Sequence, residues 1–282
     1  MSFVRPLFRP LARAAFQPRR RLLLTTAASA SATLLTTGCS TVALMLARPA
    51  TTPMPTLRPP SPCGAGGRAQ TLLVLLPGAY STPQEFIDNG TPAALRAAGR
   101  RADLCIADSH LGYVGDGSLV RRLHDDVVAP ARAAGYAQVW LVGISLGGYA
   151  ALAYLARNPG ARVDGVFAIA PYLGRRTQLR DMAAAGGPRA WNQGLAAPDL
   201  QDLDQAIWRW LAAPPAGAPP VYLGWGREDR FADTCAVAAT LLPPERVSQV
   251  AGGHDWPPWR ALLAQWFQQA PWPSGCAVGT VA

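Results

Sequence analysis

Ser145 stands in the run Gly143-Ile144-Ser145-Leu146-Gly147-Gly148, directly after an apolar stretch and directly before a helix-forming one. Glycines two residues before and two after the serine remove the side chains that a sharp strand-to-helix turn excludes. Such a turn lifts the hydroxyl above a helix N-terminus, where the dipole and free amides favour developing negative charge. A serine hydroxyl is a weak nucleophile without a base, and the base needs an orienting carboxylate. Those partners are expected in chain order, the acid and then the histidine. Glu228 and Asp229 compete for the acid in the stretch VYLGWGREDRF. His254 follows in AGGHDW, on a glycine-bearing loop suited to swinging its imidazole toward Ser145. The chemistry implied is acyl transfer through a serine ester, which calls for no cofactor and no metal.

An acyl-transfer site also needs two backbone amides for the oxyanion. One is expected from Leu146, the residue after the serine, and the other from the Pro77-Gly78-Ala79-Tyr80 loop. Ala79 presents its amide with little obstruction; Tyr80 is the second choice and a candidate substrate contact. His110, beyond another apolar run, is a further candidate for substrate contact or an ordinary loop residue. His124 falls mid-helix among charges and reads as solvated. All 26 basic residues are arginine, which excludes a Walker A loop, a pyridoxal Schiff base and a kinase-type lysine, each of which needs an ammonium group. Three histidines and no His-Glu-x-x-His leave little room for a metal centre.

The elements that must position these residues alternate. Short apolar runs at 71–76, 102–107, 138–143, 163–170, 221–225 and 246–250 suit strands buried on both faces. Helical stretches fall between them at 92–98, 119–134, 148–157, 200–212, 232–242 and 258–269. The 119–134 helix shows an apolar face through Leu119, Val120, Leu123, Val127, Val128 and Ala131, with Arg121, Arg122, Asp125 and Asp126 expected outward. Strand–helix alternation at this spacing predicts an α/β domain with a mainly parallel sheet and helices on both sides. Ligands then sit at the carboxyl ends of the strands, where Ser145, Asp229 and His254 all fall.

The first residues read as an address. Residues 1–21 hold six arginines and no acid, and an uncharged stretch runs from Leu22 to Thr37. Without residues 1–38 the chain carries 20 basic against 17 acidic residues, ordinary for a soluble domain, so the net charge of +9 does not indicate nucleic acid. Thr37-Gly38-Cys39-Ser40 resembles a bacterial lipobox, with Thr36 where leucine is preferred and Cys39 as the lipidated residue. Arg19-Arg20-Arg21-Leu22-Leu23 resembles a twin-arginine export motif. An uncleaved membrane anchor is the alternative. Residues 39–62, with six prolines between 48 and 62, are expected as an extended tether. The hydrolytic domain is expected at 63–282. With Cys39 used for lipid, Cys63, Cys105, Cys235 and Cys276 remain for at least one disulfide in an oxidising compartment, though Cys105 also suits a buried thiol.

Residues 70–270 resemble the α/β-hydrolase superfamily through PGAY at 77–80, GISLGG at 143–148, GREDRF at 226–231 and GGHDW at 252–256. The resemblance implies the α/β-hydrolase fold and favours Asp229 over Glu228, because Gly-x-x-Asp after this strand matches the family loop. Pro77 departs from the His-Gly form common in relatives. It also implies a small helical cap, at about 172–218, whose Trp208 and Trp210 roof an acyl pocket or pack on the sheet. The expected function is an esterase-type serine hydrolase of the cell envelope, acting on small-molecule esters and held at the membrane by lipid or anchor. Two alternatives are peptide or amide hydrolysis by the same triad and a non-catalytic envelope binding protein on this fold.

Overall fold

The computed structural model describes residues 48–158, 160, 163–195 and 202–277. The export signal expected at 1–38, Cys39 and the tether residues 40–47 lie outside the described residues. Seven strands form one sheet: β1 (Thr56–Leu57), β2 (Thr71–Leu76), β3 (Asp103–Ala107), β4 (Gln138–Ile144), β5 (Gly165–Ile169), β6 (Val221–Gly226) and β7 (Val247–Val250), in the order β1-β3-β2-β4-β5-β6-β7. All pairs are parallel except β1 with β3. The six long strands are those expected from the apolar runs, within a residue or two at each end. β2 and β3 are buried at every position, which is why their sequences are continuously apolar rather than alternating. Each leucine of β2 removed from water contributes about 2 kcal/mol.

The helices are α1 (Gln84–Asp88), α2 (Thr91–Ala97), α3 (Leu111–Gly115), α4 (Leu119–Leu123), α5 (Ala129–Ala133) and α6 (Leu146–Arg157), then α7 (Arg176–Ala184), α8 (Pro188–Gly194), α9 (Leu203–Ala212), α10 (Ala232–Ala239) and α11 (Trp256–Gln269). The small residues of α6 bring it close to the sheet, packed against β2, β4 and β5, with α4 and α9 beside it. On the other side Trp140, Phe167, Trp266 and Trp272 form an aromatic cluster, with Phe167 stacked on Trp266 at 4.6 Å. Gly165 is required there, since a Cβ would lie 2.0 Å from the Trp140 ring.

Two expectations are corrected. The 119–134 helix is interrupted by a π turn at His124–Val128, and Arg122 faces inward, 8% exposed, donating to Asp125 at 2.6 Å and Asp126 at 3.1 Å. Asp126 in turn accepts the Met54 amide at 2.8 Å, so the outward-charge assumption fails where a second segment covers the helix. That segment is the second correction. The proline-rich stretch from residue 48 does not run free but lies on the domain: Met54 is buried, β1 pairs with β3, and Arg48 forms an ion pair with Asp108. Proline tolerates this because β1 is an edge strand. Of the two roles open to Trp208 the structure shows core packing: 1% exposed, it donates from Nε1 to the Leu173 carbonyl at 2.8 Å, and Ile207 and Leu211 are buried with it.

Cys63 and Cys276 form a disulfide, with Cα atoms 5.8 Å apart, while Cys105 and Cys235 are buried free thiols. The bridge staples the chain before β2 to the C-terminal tail, which also pairs through Ala69 and Cys276 and through the Gln70 amide to the Gly275 carbonyl at 2.9 Å. Among the described residues no helix is long and apolar enough to cross a membrane.

Candidate active site

β4 delivers Ser145 to the turn before α6 with φ 55° and ψ −111°, a backbone conformation costly for a residue with a side chain. The turn survives because nothing competes for its space: a Cβ on Gly143 would lie 2.1 Å from the Gly147 carbonyl oxygen, and one on Gly147 would lie 1.9 Å from that of Leu76. The serine amide donates to the Ile169 carbonyl at 2.8 Å, which pins the turn to β5. Ser145 is 6% exposed.

The structure brings the three distant residues together. His254 Nε2 lies 3.0 Å from Ser145 Oγ, and His254 Nδ1 lies 2.8 Å from Asp229 Oδ2. The Asp229 side chain is fully buried, and its other oxygen accepts the Phe231 amide at 2.8 Å, so both carboxylate oxygens are held. Glu228, the competing acid, points elsewhere and accepts the Gly252 amide at 2.6 Å, holding the loop that carries His254. With Nδ1–H donated to the carboxylate, Nε2 is the free acceptor facing the hydroxyl. The arrangement can therefore draw a proton from Oγ and stabilise the imidazolium that results.

Sequence reasoning missed the residues that hold the imidazole. Phe231 and Trp259 meet the His254 ring edge to face at 5.0 Å and 5.1 Å. Glu85 of α1 ties two loops: it accepts the Thr82 amide at 2.9 Å and the Trp256 indole N–H at 3.0 Å. A signal for Glu85 existed, since Thr82-x-x-Glu85 is a capping-box spacing at the start of α1. Nothing local in the sequence marks Phe231 or Trp259, whose contact depends on how β6, β7 and α11 converge.

The loop after β2 passes beside the nucleophile: a Cβ built on Gly78 would lie 3.6 Å from Ser145 Cβ, and the Ser81 amide donates to the Gly78 carbonyl at 3.1 Å. Ala79 is half-buried on this loop, Leu146 opens α6, and Tyr80 stands out, 50% exposed. His110 is buried and caps α3, accepting the Gly112 amide at Nδ1 (3.1 Å) and packing on Tyr113. Burial, then the neighbouring Arg48, lowers its pKa below the ordinary histidine value. Its Nδ1 is thereby spent on the cap of α3. Burial, then the charge of Asp229, pushes the Cys235 thiol well up, so it does not compete as a nucleophile.

Residues 73–277 match the model of a family described as the alpha/beta hydrolase family. The chain belongs to that family. This alpha/beta hydrolase is similar in structure to S-formylglutathione hydrolase from Staphylococcus aureus, with a TM-score of 0.51 and 13% identity over 79% of this chain and 97% of that one. It is similar as well to Est1E from Butyrivibrio proteoclasticus, solved with ferulic acid bound, with a TM-score of 0.50 and 13% identity over 77% and 93% of the two chains. At that identity the likeness is one of fold. No curated protein sequence matches the hydrolase.

Proposed function

We propose that the protein is a serine carboxylesterase working through an acyl-enzyme. The observation that carries this is the unbroken run from Ser145 Oγ to His254 (3.0 Å) to buried Asp229 (2.8 Å) on a strained turn. His254 Nε2 takes the Oγ proton as Oγ attacks the ester carbonyl, and the tetrahedral oxyanion lies against the Leu146 and Ala79 amides. The imidazolium then gives its proton to the departing alkoxide, leaving Ser145 acylated. Water, deprotonated by the same nitrogen, attacks the acyl carbonyl; the carboxylic acid leaves and Oγ recovers its proton. Tyr80, exposed beside the oxyanion loop, contacts the ester as it enters.

The protein acts at the cell envelope, exported by residues 1–38 and held at the membrane through Cys39. Ser145→Ala should lower turnover of p-nitrophenyl acetate by about 10⁴-fold or more and abolish labelling by a fluorophosphonate, with an unchanged melting temperature. Labelling that persists in the folded variant overturns the assignment.

A further inference from the structure

A cavity of about 380 Å³ opens between the α4–π-turn segment, the far end of α6 and the start of α9. Ser145 and Arg157 lie at opposite ends of α6, on the order of 18 Å apart at ~1.5 Å per residue, so this cleft is separate from the triad. Arg121, His124, Asp125 and Arg157 line it, with Val120 and Leu203 supplying apolar wall. Asp125 is held by Arg122 at 2.6 Å, a guanidinium it shares with Asp126 at 3.1 Å. Arg121 is attracted by exposed Asp116, and neither Arg121 nor Arg157 forms an ion pair among the described residues. The lining itself therefore carries two arginines against one aspartate, a net positive wall.

His124 is not a loose surface histidine. Its Nδ1 lies 2.9 Å from the hydroxyl of Tyr154, which is fully buried, and the two rings stack. A rigid residue thus holds an exposed imidazole at the cleft, leaving Nε2 available. His124 also opens the π turn, a rare feature that recurs at functional sites and re-aims the side chains around it.

We propose that this cleft binds a small ligand carrying a phosphate group. Guanidinium forks at Arg121 and Arg157 match phosphate oxygens in geometry as well as charge, the imidazole adds a third donor, and Val120 and Leu203 receive the organic part. The volume suits a phosphate ester of a few carbons. Such a group belongs either to a soluble phosphate monoester or to a phospholipid headgroup, and the test separates them.

The full-length protein would be titrated with glycerol 3-phosphate by calorimetry at low salt. In parallel it would be floated with phosphatidylglycerol vesicles, with phosphatidylcholine vesicles as the neutral control. Each is repeated with the double variant R121Q/R157Q, whose changed side chains are not in the core. For a soluble ligand, glycerol 3-phosphate binds saturably and the double variant weakens it by about tenfold or more. For a headgroup, the variant instead loses flotation on phosphatidylglycerol beyond what the neutral control loses. Ester turnover and melting temperature stay unchanged in both cases. If wild type and variant behave alike toward both probes, the proposal is wrong, and the esterase assignment is untouched because it is measured separately.

Discussion

Replacing Asp229 by asparagine changes a single atom and is expected to disable the relay while leaving the fold in place. Asp229 accepts two N–H groups at 2.8 Å, from the His254 ring and from the Phe231 amide. Asparagine retains one acceptor oxygen, which the fixed Phe231 amide claims, so the side-chain NH₂ turns toward His254 Nδ1. The ring must then present Nδ1 as an acceptor and carry its proton on Nε2, aimed at Ser145 Oγ only 3.0 Å away. In that tautomer it cannot take the serine proton. A loss of about 10⁴ in kcat is expected, which is about 5.4 kcal/mol of transition-state stabilisation. The assay is kcat and KM on p-nitrophenyl acetate at fixed pH, with the melting temperature as a check on folding. E228Q is the control, since Glu228 contacts only the Gly252 end of the same loop, and it should lose no more than severalfold. A folded D229N enzyme within tenfold of wild type, or an E228Q enzyme equally crippled, refutes the reasoning.

Removing the staple by C63S/C276S should lower unfolding stability by about 5 kcal/mol in chemical denaturation, because the bridge spans 213 residues and constrains almost the whole domain in the unfolded chain. Glu85→Ala should lower kcat/KM by about tenfold or more, since even one lost bond to a charged acceptor is worth about 1.5–3 kcal/mol, and Glu85→Gln should recover most of it. The pKa of His110 lies below the ordinary 6.5, so on acidification the unfolded chain takes up a proton first. Stability should thus fall as pH drops through about 6.5, and His110→Asn, which keeps a capping acceptor, should flatten that part of the profile in denaturant midpoints at pH 7.5 and 5.

The sequence exposed what depends on local chemistry. β2, β3, β4 and β5 are buried on both faces and announced themselves as apolar runs, and the Ser145 turn announced itself through glycines that its own backbone demands. Strand ends then located Asp229 and His254. What stayed hidden depends on which surfaces meet. Arg122 looks solvent-facing in any helical projection, and only the segment bearing Met54 makes its side of the helix an interior. The short helices α7 and α8 bury only Met182 between them, and the five-residue α3 starts from a histidine cap that no apolar pattern marks. Trp208 is as apt for a pocket roof as for core until the Leu173 carbonyl is seen to occupy its indole N–H.

The antiparallel course of β1 has a topographic consequence. Because the parallel strands end at the rim that bears Ser145, a segment running the other way along β3 enters the domain from that rim, and Arg48 sits there against Asp108.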